Sequence, residues 1–564
     1  MSTYYKQKPW LTTYPDWLPQ EFPLPPATVL DEFLRSAEAY PKDPCIHYFD
    51  HTYSYENILK MALAFAAALA DMAVAEGDRV ILVMQNIPQA VIACLSVWMR
   101  KATVVPLNPM YTGDDLNLYL NDSGARLLIC QDDFYEDRVK KIIPNLQEVS
   151  VITTSALDLL GNQTHLPEQF RNNCRKQLHA TEDFMELINF HSDQKFQPEF
   201  PRAGDLAYLV YTSGTTGPAK GAMIRHSNIV HNAIVYQKAC RLDRSDVVLG
   251  VAPLFHITGI VAHLGIAVHL GIAVVLCARF DVRETLRLIE KYRVTFTVAA
   301  ITVYLAMLNY SELKSFDLSS FKKAYSGGAP VSPSTVQKLR EAMDLTIYNV
   351  YGLTESCSPA TITPLGIEGP VDEQTGALSV GLVIPGHEAW IVDLDNPEIE
   401  VPPGEEGELV LLGPGIINGY WGKPQETANA IKNGRFFTGD VAKFDEMGWC
   451  YIVDRKKDLI NASGFKVWPR EVEDVLYQHP AVREAAVVGV PDAYRGETVK
   501  AFVSLGDIYK GEVAPQELIE FCKKRMAAYK YPRIVEIIDE VPKTITGKFL
   551  RRRLRKDNNR FADL

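Results

Sequence analysis

Residues Tyr211 to Gly221 read YTSGTTGPAKG, with glycines, hydroxyls and one lysine directly behind the apolar run Leu206, Ala207, Tyr208, Leu209, Val210. A strand that stops at such a loop brings backbone N–H groups, Ser and Thr hydroxyls and an ammonium to one point, the donors an oligophosphate needs. A Walker-type loop requires two glycines five residues apart, the second followed at once by Lys and Ser or Thr. Here Gly214 and Gly217 are too close, Lys220 follows Ala219, and Gly221 stands where the hydroxyl belongs. The stretch predicts a phosphate loop of another kind, in a protein that handles a nucleoside triphosphate. Its place between an apolar strand and the basic, apolar segment Met223 to Ile229 sets it apart from a solvated linker of turn residues.

A chain of 564 residues is too long for one core and implies two or more domains. Its 47% hydrophobic and 23% charged residues are those of a soluble globular protein. A net charge of −11 argues against general nucleic-acid binding, so any polyanionic ligand must be met by local clusters. The nine cysteines, Cys45, Cys94, Cys130, Cys174, Cys240, Cys277, Cys357, Cys450 and Cys522, contain no CxxC pair, which fits reduced thiols rather than a disulfide frame or zinc site. The start, MSTYYKQKPWLTTYPDW, has no apolar core of a signal peptide, and a cytoplasmic protein is expected. Ile257 to Ala278 is almost wholly apolar, yet it contains His263, His269 and Gly271 before the β-branched run Ile272 to Leu276. A buried helix followed by a buried strand explains it better than a membrane span; a peripheral contact with the inner membrane face stays open.

From Ser54 to Ile152 apolar helical stretches alternate with short β-branched runs such as Arg79 to Val83 and Thr103 to Pro106, which predicts a doubly wound α/β layer structure with mainly parallel strands. Ser155 to Gly204 is polar and weakly periodic and reads as a long irregular connection. The alternation resumes behind the phosphate loop to about Gln337. Pro364 to Gly422, rich in glycine and proline, reads as turns and short antiparallel strands. After a strand from Trp449 to Val453 the charged break Arg455, Lys456, Lys457, Asp458 opens a second unit of about 105 residues. In it a helix is expected over Pro469 to Gln478, strands over Glu484 to Val490 and Val499 to Leu505, and a helix over Pro515 to Ala528.

Further signals follow the loop. YSGGAP, Tyr325 to Pro330, allows close backbone approach to a flat ligand at Gly327 and Gly328, and by itself is equally an ordinary turn. The strand Ile347 to Val350 runs into Tyr351, Gly352, Leu353, Thr354 and Glu355; an aromatic ring, a hydroxyl and a carboxylate at a strand end suit purine stacking and Mg2+ on phosphates. Phe437, Thr438, Gly439 and Asp440, with Arg455 fifteen residues on, offer ribose partners, although Asp440 alone reads as a turn residue. PKTITGK, Pro542 to Lys548, precedes Arg551, Arg552 and Arg553 in a tail that by itself reads as solvated.

Together YTSGTTGPAKG, SGGAP, YGLTES, FTGD, DRKKDLINASGFKVWPREVE and PKTITGK stand in the order and spacing of one family. The chain resembles the adenylate-forming acyl-CoA synthetases, most closely the bacterial long-chain fatty acid–CoA ligases, from Lys8 to Arg553. The resemblance implies an α/β protein. Its large N-terminal adenylate-forming domain, doubly wound sheets plus a distorted β-barrel, spans 1–453; a hinge follows at 454–458, and a small mobile α+β domain at 459–564. It implies ATP, Mg2+ and coenzyme A, a carboxylic acid substrate, and acyl-AMP as intermediate; a homodimer stays open.

By the family pattern Thr212, Ser213, Gly214, Thr215, Thr216, Gly217 and Lys220 hold the outer phosphates, and Thr212 and Glu355 contact Mg2+. Gly328, Ala329, Pro330 and Tyr351 enclose adenine, with Gly352 and Thr354 in the same nucleotide site, and Asp440 and Arg455 meet the ribose. Lys548 resembles the lysine that reaches between carboxylate and α-phosphate, and Lys457 the hinge; Gly464, Phe465 and Lys466 would line a pantetheine tunnel. His256 stands where the family has an aromatic or His beside the carboxylate, and a His there disfavours amino acids; a buried structural role is the alternative. Gly259, Ile260, Val261 and Gly265 are either acyl-pocket lining or core, and the tryptophan gate that some long-chain ligases carry near Ile260 is missing. An aryl-acid or 4-coumarate-type CoA ligase is the nearest rival reading. A nucleotide-binding protein without turnover and a luciferase-like oxygenase are more distant ones.

Overall fold

The runs Arg79–Val83, Thr103–Pro106 and Leu127–Gln131 fall side by side because each is followed by helical turns that carry the chain back over the sheet. The computed structural model describes residues 4–142, 149–161, 167–171, 174–176, 178, 180–212, 219–329, 331–373, 376–462, 465–492, 496–543 and 549–558. Among them the strands form three sheets. The first runs in the order Glu182–Asp183, Ser150–Thr154, Leu127–Gln131, Arg79–Val83, Thr103–Pro106, Leu206–Thr212 (β1), Lys220–Arg225 (β2), and is parallel up to β1. Helix Tyr55–Asp71 packs on helix Pro88–Trp98, the latter buried on every face. Ser54 caps the first of these and Pro88 opens the second, so both starts are written in the local sequence.

β1 and β2 make an antiparallel hairpin in which Thr212 faces Lys220 and Tyr211 faces Gly221. β2 runs without a break into helix His226–Ala239 (α1), whose first turn is closed by Asn228 Oδ1 accepting from Arg225 N at 2.9 Å.

The second sheet is parallel through Pro44–Tyr48, Val274–Leu276, Val248–Leu249, Phe296–Ala299 and Lys323–Ser326, and reaches Ile347–Leu353 (β3). β3 is a seam. Ile347, Tyr348 and Asn349 pair parallel with Ala324, Tyr325 and Ser326, whereas Val350 to Leu353 pair antiparallel with Ser358–Ile362. Beyond it every strand is antiparallel: Gly381–Val383, Glu388–Val392, Gly407–Leu412, Arg435–Phe444 (β4) and Trp449–Arg455 (β5). This wing has its own core, with Trp390, Leu409, Leu411 and Phe444, and the N-terminal segment adds Tyr5 and Trp10 to it. The antiparallel reading of Pro364 to Gly422 is therefore met.

Ile257 to Ala278 forms buried helical turns at Gly259–Gly265 and Ile266–Leu270 and then the buried strand Val274–Leu276, as expected. No helix among the described residues is long and apolar enough to cross a membrane. The span Ser155 to Gly204 differs from its reading as irregular: Glu182–Asp183 adds an edge strand and Phe184–His191 a helix capped by Asp183. Only three positions of that helix, Phe184, Ile188 and His191, are buried, too few for a periodic signal to stand out from its polar surroundings. β5 also runs two residues further than expected, through Arg455, and the charged break shrinks to one turn at Lys456–Asp458.

Behind that turn the third sheet pairs Val482–Asp492 with Gly496–Leu505 and adds Ile534–Ile537 in parallel. Helices Pro469–Tyr477 and Pro515–Lys523 cover it through Val472, Leu476 and Leu518. The second helix ends five residues before the expected Ala528.

Eight of the nine cysteines are buried, and Cys174 is exposed. Burial also lowers several histidines: His226 and His387 to about 3, His263 and His47 to about 4. These rings are neutral in the fold and titrate near 6.5 when unfolded, so their contribution is whole above pH 6.5 and is lost as pH falls toward 4 for His263 and His47 and toward 3 for His226 and His387. Each should cost about 1.4 kcal/mol per pH unit over that window. Urea unfolding at pH 7.5 and pH 5.5 should show a clear drop in midpoint at the lower pH; an unchanged midpoint would mean that the rings are already charged in the fold.

Candidate active site

The segments Gly419–Trp421 and Thr354–Ser356 come together beside the paired ends of β1 and β2. The hairpin tip, Ser213 to Gly217 with Pro218, lies outside the described residues, but its two posts are fixed: Thr212 Oγ1 donates to the Lys220 carbonyl at 3.4 Å. The lysine is thus carried on a returning strand rather than on a helix, and α1 starts only six residues later.

The edge of β2 is covered by the loop Gly419–Trp421. Met223 N donates to Gly419 O at 3.2 Å, Trp421 N donates to Gly221 O at 2.8 Å, and Ala222 bridges Tyr420. This delivers Tyr420 under the lysine. Lys220 Nζ lies 5.2 Å from the centre of the Tyr420 ring and 2.9 Å from Glu426 Oε2. The Tyr420 hydroxyl donates to Glu355 Oε1 at 2.8 Å, and burial, then the Glu355 charge, pushes the phenol well up, so it stays a donor. Lys220 and Glu355, both expected at the phosphates, are therefore joined through a tyrosine that sequence reasoning missed. Tyr420 stands two hundred residues beyond Lys220 in a turn-rich span, where no local pattern points back to β2.

Glu355 follows the seam strand directly, in the turn Thr354–Ser356. A Cβ on Gly352 would stand 1.4 Å from the Ser358 carbonyl oxygen, so the antiparallel return of the chain admits only glycine there. Cys357 and Ser358 take positive φ values of 52° and 87°. Glu355 O accepts from Ile417 N at 2.9 Å.

A second cluster forms one step away. The Tyr351 hydroxyl donates to Asp440 Oδ2 at 2.6 Å, and Asp440 faces Arg455 across the β4–β5 pair. Asp440 is not in a free turn. It sits within β4 at an irregularity where Gly439 has φ 72°, Thr438 Oγ1 accepts from Asp440 N, and Glu408 accepts from Gly439 N at 3.1 Å. Glu408, a further residue the sequence did not single out, also receives Lys456 Nζ at 3.0 Å. Gly328 and Ala329 follow strand Lys323–Ser326, the parallel neighbour of β3; Pro330 lies outside the described residues.

His256 stands on a separate turn. Its Nδ1 accepts from Thr258 N at 3.3 Å, which puts the proton of the neutral ring on Nε2. Gly259, Ile260, Val261 and Gly265 are all buried, with Ile260 and Val261 in the main core. Beside them an apolar cavity of about 20 Å³, bounded by Met84, Cys94, Tyr208, Leu254, Phe255 and Leu264, has room for one water-sized body.

Toward the small unit, Asp454 Oδ2 accepts from Arg470 N at 2.9 Å, and Asp458 meets Arg555 at 3.0 Å and Arg551 at 3.6 Å. These two carboxylates flank Lys457. Phe465 and Lys466 lie on strand Phe465–Val467, paired with Ile460–Ala462. Gly464 and Lys548 lie outside the described residues.

The family described as AMP-binding enzyme matches residues 33–421, and the AMP-binding enzyme C-terminal domain matches 471–548. A long-chain-fatty-acid–CoA ligase of Bacillus subtilis (strain 168) is 35% identical over 97% of this chain and 98% of its own length. A feruloyl-CoA synthase of an Amycolatopsis species is 31% identical over 93% of this chain and 97% of its own. Among solved structures, the o-succinylbenzoate coenzyme A synthetase of Bacillus subtilis in complex with ATP and a magnesium ion superposes with a TM-score of 0.77 at 27% identity, covering 93% of this chain and 98% of that one.

Tyr420→Phe removes one hydroxyl and keeps the ring beneath Lys220. A hydrogen bond to a charged group contributes about 1.5–3 kcal/mol, so the melting temperature should fall by a few degrees, and ATP–pyrophosphate exchange about 10- to 100-fold at a temperature where the variant stays folded. Undiminished exchange would show that the Tyr420–Glu355 contact is idle.

Proposed function

The chain belongs to the AMP-binding enzyme family and is an adenylate-forming acid–thiol ligase, and on that premise we propose that its acid is a medium- to long-chain fatty acid, joined to coenzyme A with release of AMP and pyrophosphate. The observation that carries the fatty-acid reading is the 35% identity, over nearly the full length of both chains, to a long-chain-fatty-acid–CoA ligase. The aryl-acid reading is kept as the second because a feruloyl-CoA synthase follows at 31%.

A carboxylate resists attack by a thiol because oxide is a poor leaving group. In the first step a carboxylate oxygen attacks the α-phosphorus of ATP, the bond to the bridging oxygen breaks, and pyrophosphate leaves. In the second the coenzyme A sulfur attacks the acyl carbon and AMP leaves with the bonding pair. Positioning and charge stabilisation dominate the first step, since two anions must meet.

We assign the outer phosphates to the hairpin tip 213–217 with Thr212 and Lys220. Lys220 is only partly exposed and is paired with Glu426, a surface contact weak enough to yield to a polyphosphate. Glu355 and Thr212 supply a carboxylate and a hydroxyl, hard oxygen donors that fit Mg2+, which such sites hold with one or two carboxylates and substrate phosphates. When bound, the ion would neutralise phosphate charge. Tyr351 with Gly328, Ala329, Pro330, Gly352 and Thr354 is assigned to the nucleotide base, and Asp440, aimed by the Tyr351 hydroxyl, with Arg455 to the ribose. His256, with its proton on Nε2, suits a carboxylate oxygen.

Residues 459–564 are read as a mobile domain behind a hinge at 454–458, with Lys548 brought to the α-phosphate for adenylation and Gly464, Phe465 and Lys466 brought in for thioester formation. The ties of Asp454 and Asp458 on either side of Lys457 support a pivot there.

Lys548→Ala should lower pyrophosphate exchange by ~10²–10³ while largely sparing thioester formation from supplied acyl-AMP; equal loss of both steps would remove Lys548 from adenylation. The substrate is tested by coenzyme-A-dependent AMP release across aliphatic acids of increasing length, with benzoate, coumarate and ferulate alongside. Turnover should rise with chain length. Selective turnover of an aryl acid would replace the fatty-acid assignment with the second reading.

A further inference from the structure

Helix α1 carries a polar stripe on its buried side. Asn228, Asn232 and Tyr236 are spaced four residues apart, so they lie on one face, and all are inaccessible, at 4%, 0% and 0% exposure. Buried amides and phenols persist where each polar atom has a partner, and here the partners belong to the two loops that meet at Glu355.

Asn228 Nδ2 donates to Pro414 O at 2.7 Å and lies 3.4 Å from Ile416 O. Asn232 Nδ2 donates to Ser356 O at 2.9 Å and to Cys357 O at 2.6 Å, while Asn232 Oδ1 accepts from His231 Nδ1 at 2.9 Å. The Tyr236 hydroxyl bonds Ser358 Oγ at 2.9 Å. One helix face therefore grips the segment directly after Glu355 and the segment directly before Ile417, whose N–H donates to the Glu355 carbonyl. The Ser356–Ser358 segment includes the two left-handed, non-glycine residues Cys357 and Ser358, a conformation that persists only when its surroundings over-determine it.

We infer that Asn232, with Asn228 and Tyr236, is a positioning residue for the Glu355 carboxylate: it sets the main chain that aims Glu355 at Tyr420 and at the metal. Because α1 is continuous with β2, the same helix holds Lys220 and Glu355 in fixed register, so the lysine and the carboxylate cannot drift apart. None of the three side chains touches substrate in this account, and each acts through the backbone it holds. The inference rests on the reading of Glu355 as a Mg2+ contact.

Asn232→Leu keeps the branched side-chain skeleton and removes both N–H donors. The readout besides activity is the extra thermal stabilisation that the full-length protein gains from ATP with Mg2+ over ATP with chelator, without acid, so that no turnover occurs. The second readout is the Mg2+ concentration at half-maximal pyrophosphate exchange. Partners that orient a metal ligand typically control affinity about 10- to 100-fold. Asn232→Leu should therefore raise the half-saturating Mg2+ about tenfold and lose most of the Mg2+-dependent stabilisation, with the KM for the acid little changed. Glu355→Gln should show the same signature, and the double variant should be no worse than Glu355→Gln alone. If Glu355→Gln shifts the Mg2+ dependence and Asn232→Leu leaves it unchanged, the clamp is overturned. If Glu355→Gln leaves it unchanged, the metal reading of Glu355 fails, and its failure is seen independently of Asn232. Should Asn232→Leu not fold, Tyr236→Phe, which deletes only the hydroxyl at Ser358, is the deciding variant: about a threefold shift supports the clamp and none overturns it.

Discussion

The seam in β3 is the constraint on which the rest of the site depends. A strand hydrogen-bonded parallel over Ile347–Asn349 and antiparallel over Val350–Leu353 has a different kind of neighbour at each end. Parallel strands all point their C-terminal ends to one edge, so the loops behind Ser326 and behind the parallel half of β3 open on the same side. The antiparallel half then folds the wing of β4 and β5 over that edge, which is how Asp440 comes to lie against Tyr351. Gly352 is the point where the change of direction is tightest, and the 1.4 Å clearance to the Ser358 oxygen leaves no alternative side chain.

The charge pattern follows the same architecture. A chain with net charge −11 holds one lysine at the hairpin post, with Glu426 beside it and the face of Tyr420 beneath it. Partly exposed pairs of this kind add little to stability, so their role is to orient. On the proposed assignment of Lys220 to the phosphates, its pair with Glu426 is weak enough to be exchanged for an anionic ligand, while the Tyr420 hydroxyl stays bonded to Glu355 as a neutral donor.

Much of the parallel scaffold was legible, because a strand buried on both faces is a run of aliphatic residues and a helix start is a cap. Ser54, Pro88 and Asp183 mark their helices in the sequence itself, although the helix after Asp183 buries too little to announce its period. Lys220, Glu355, Tyr351 and Asp440 stood out in the sequence as candidate side chains; Lys220 opens β2 and Glu355 follows β3, whereas Tyr351 and Asp440 lie within strands. What could not be read was who meets whom. Tyr420 reaches Glu355 through a backbone bridge between Ala222 and Tyr420, and Glu408 reaches Gly439 across a strand pair; such long-range pairing leaves no local trace. Asp440 also shows why local reading misleads: Thr-Gly-Asp is turn chemistry, and here the same residues bend a strand instead of ending it.

Cys357 gives the site a further property. An acyl-adenylate acylates thiolates, and Cys357 lies two residues beyond Glu355 in the chain. It is buried in a left-handed turn, and desolvation pushes its pKa far above the ordinary thiol range. Burial therefore keeps the sulfur nearest to Glu355 in sequence in its protonated, poorly nucleophilic form at neutral pH.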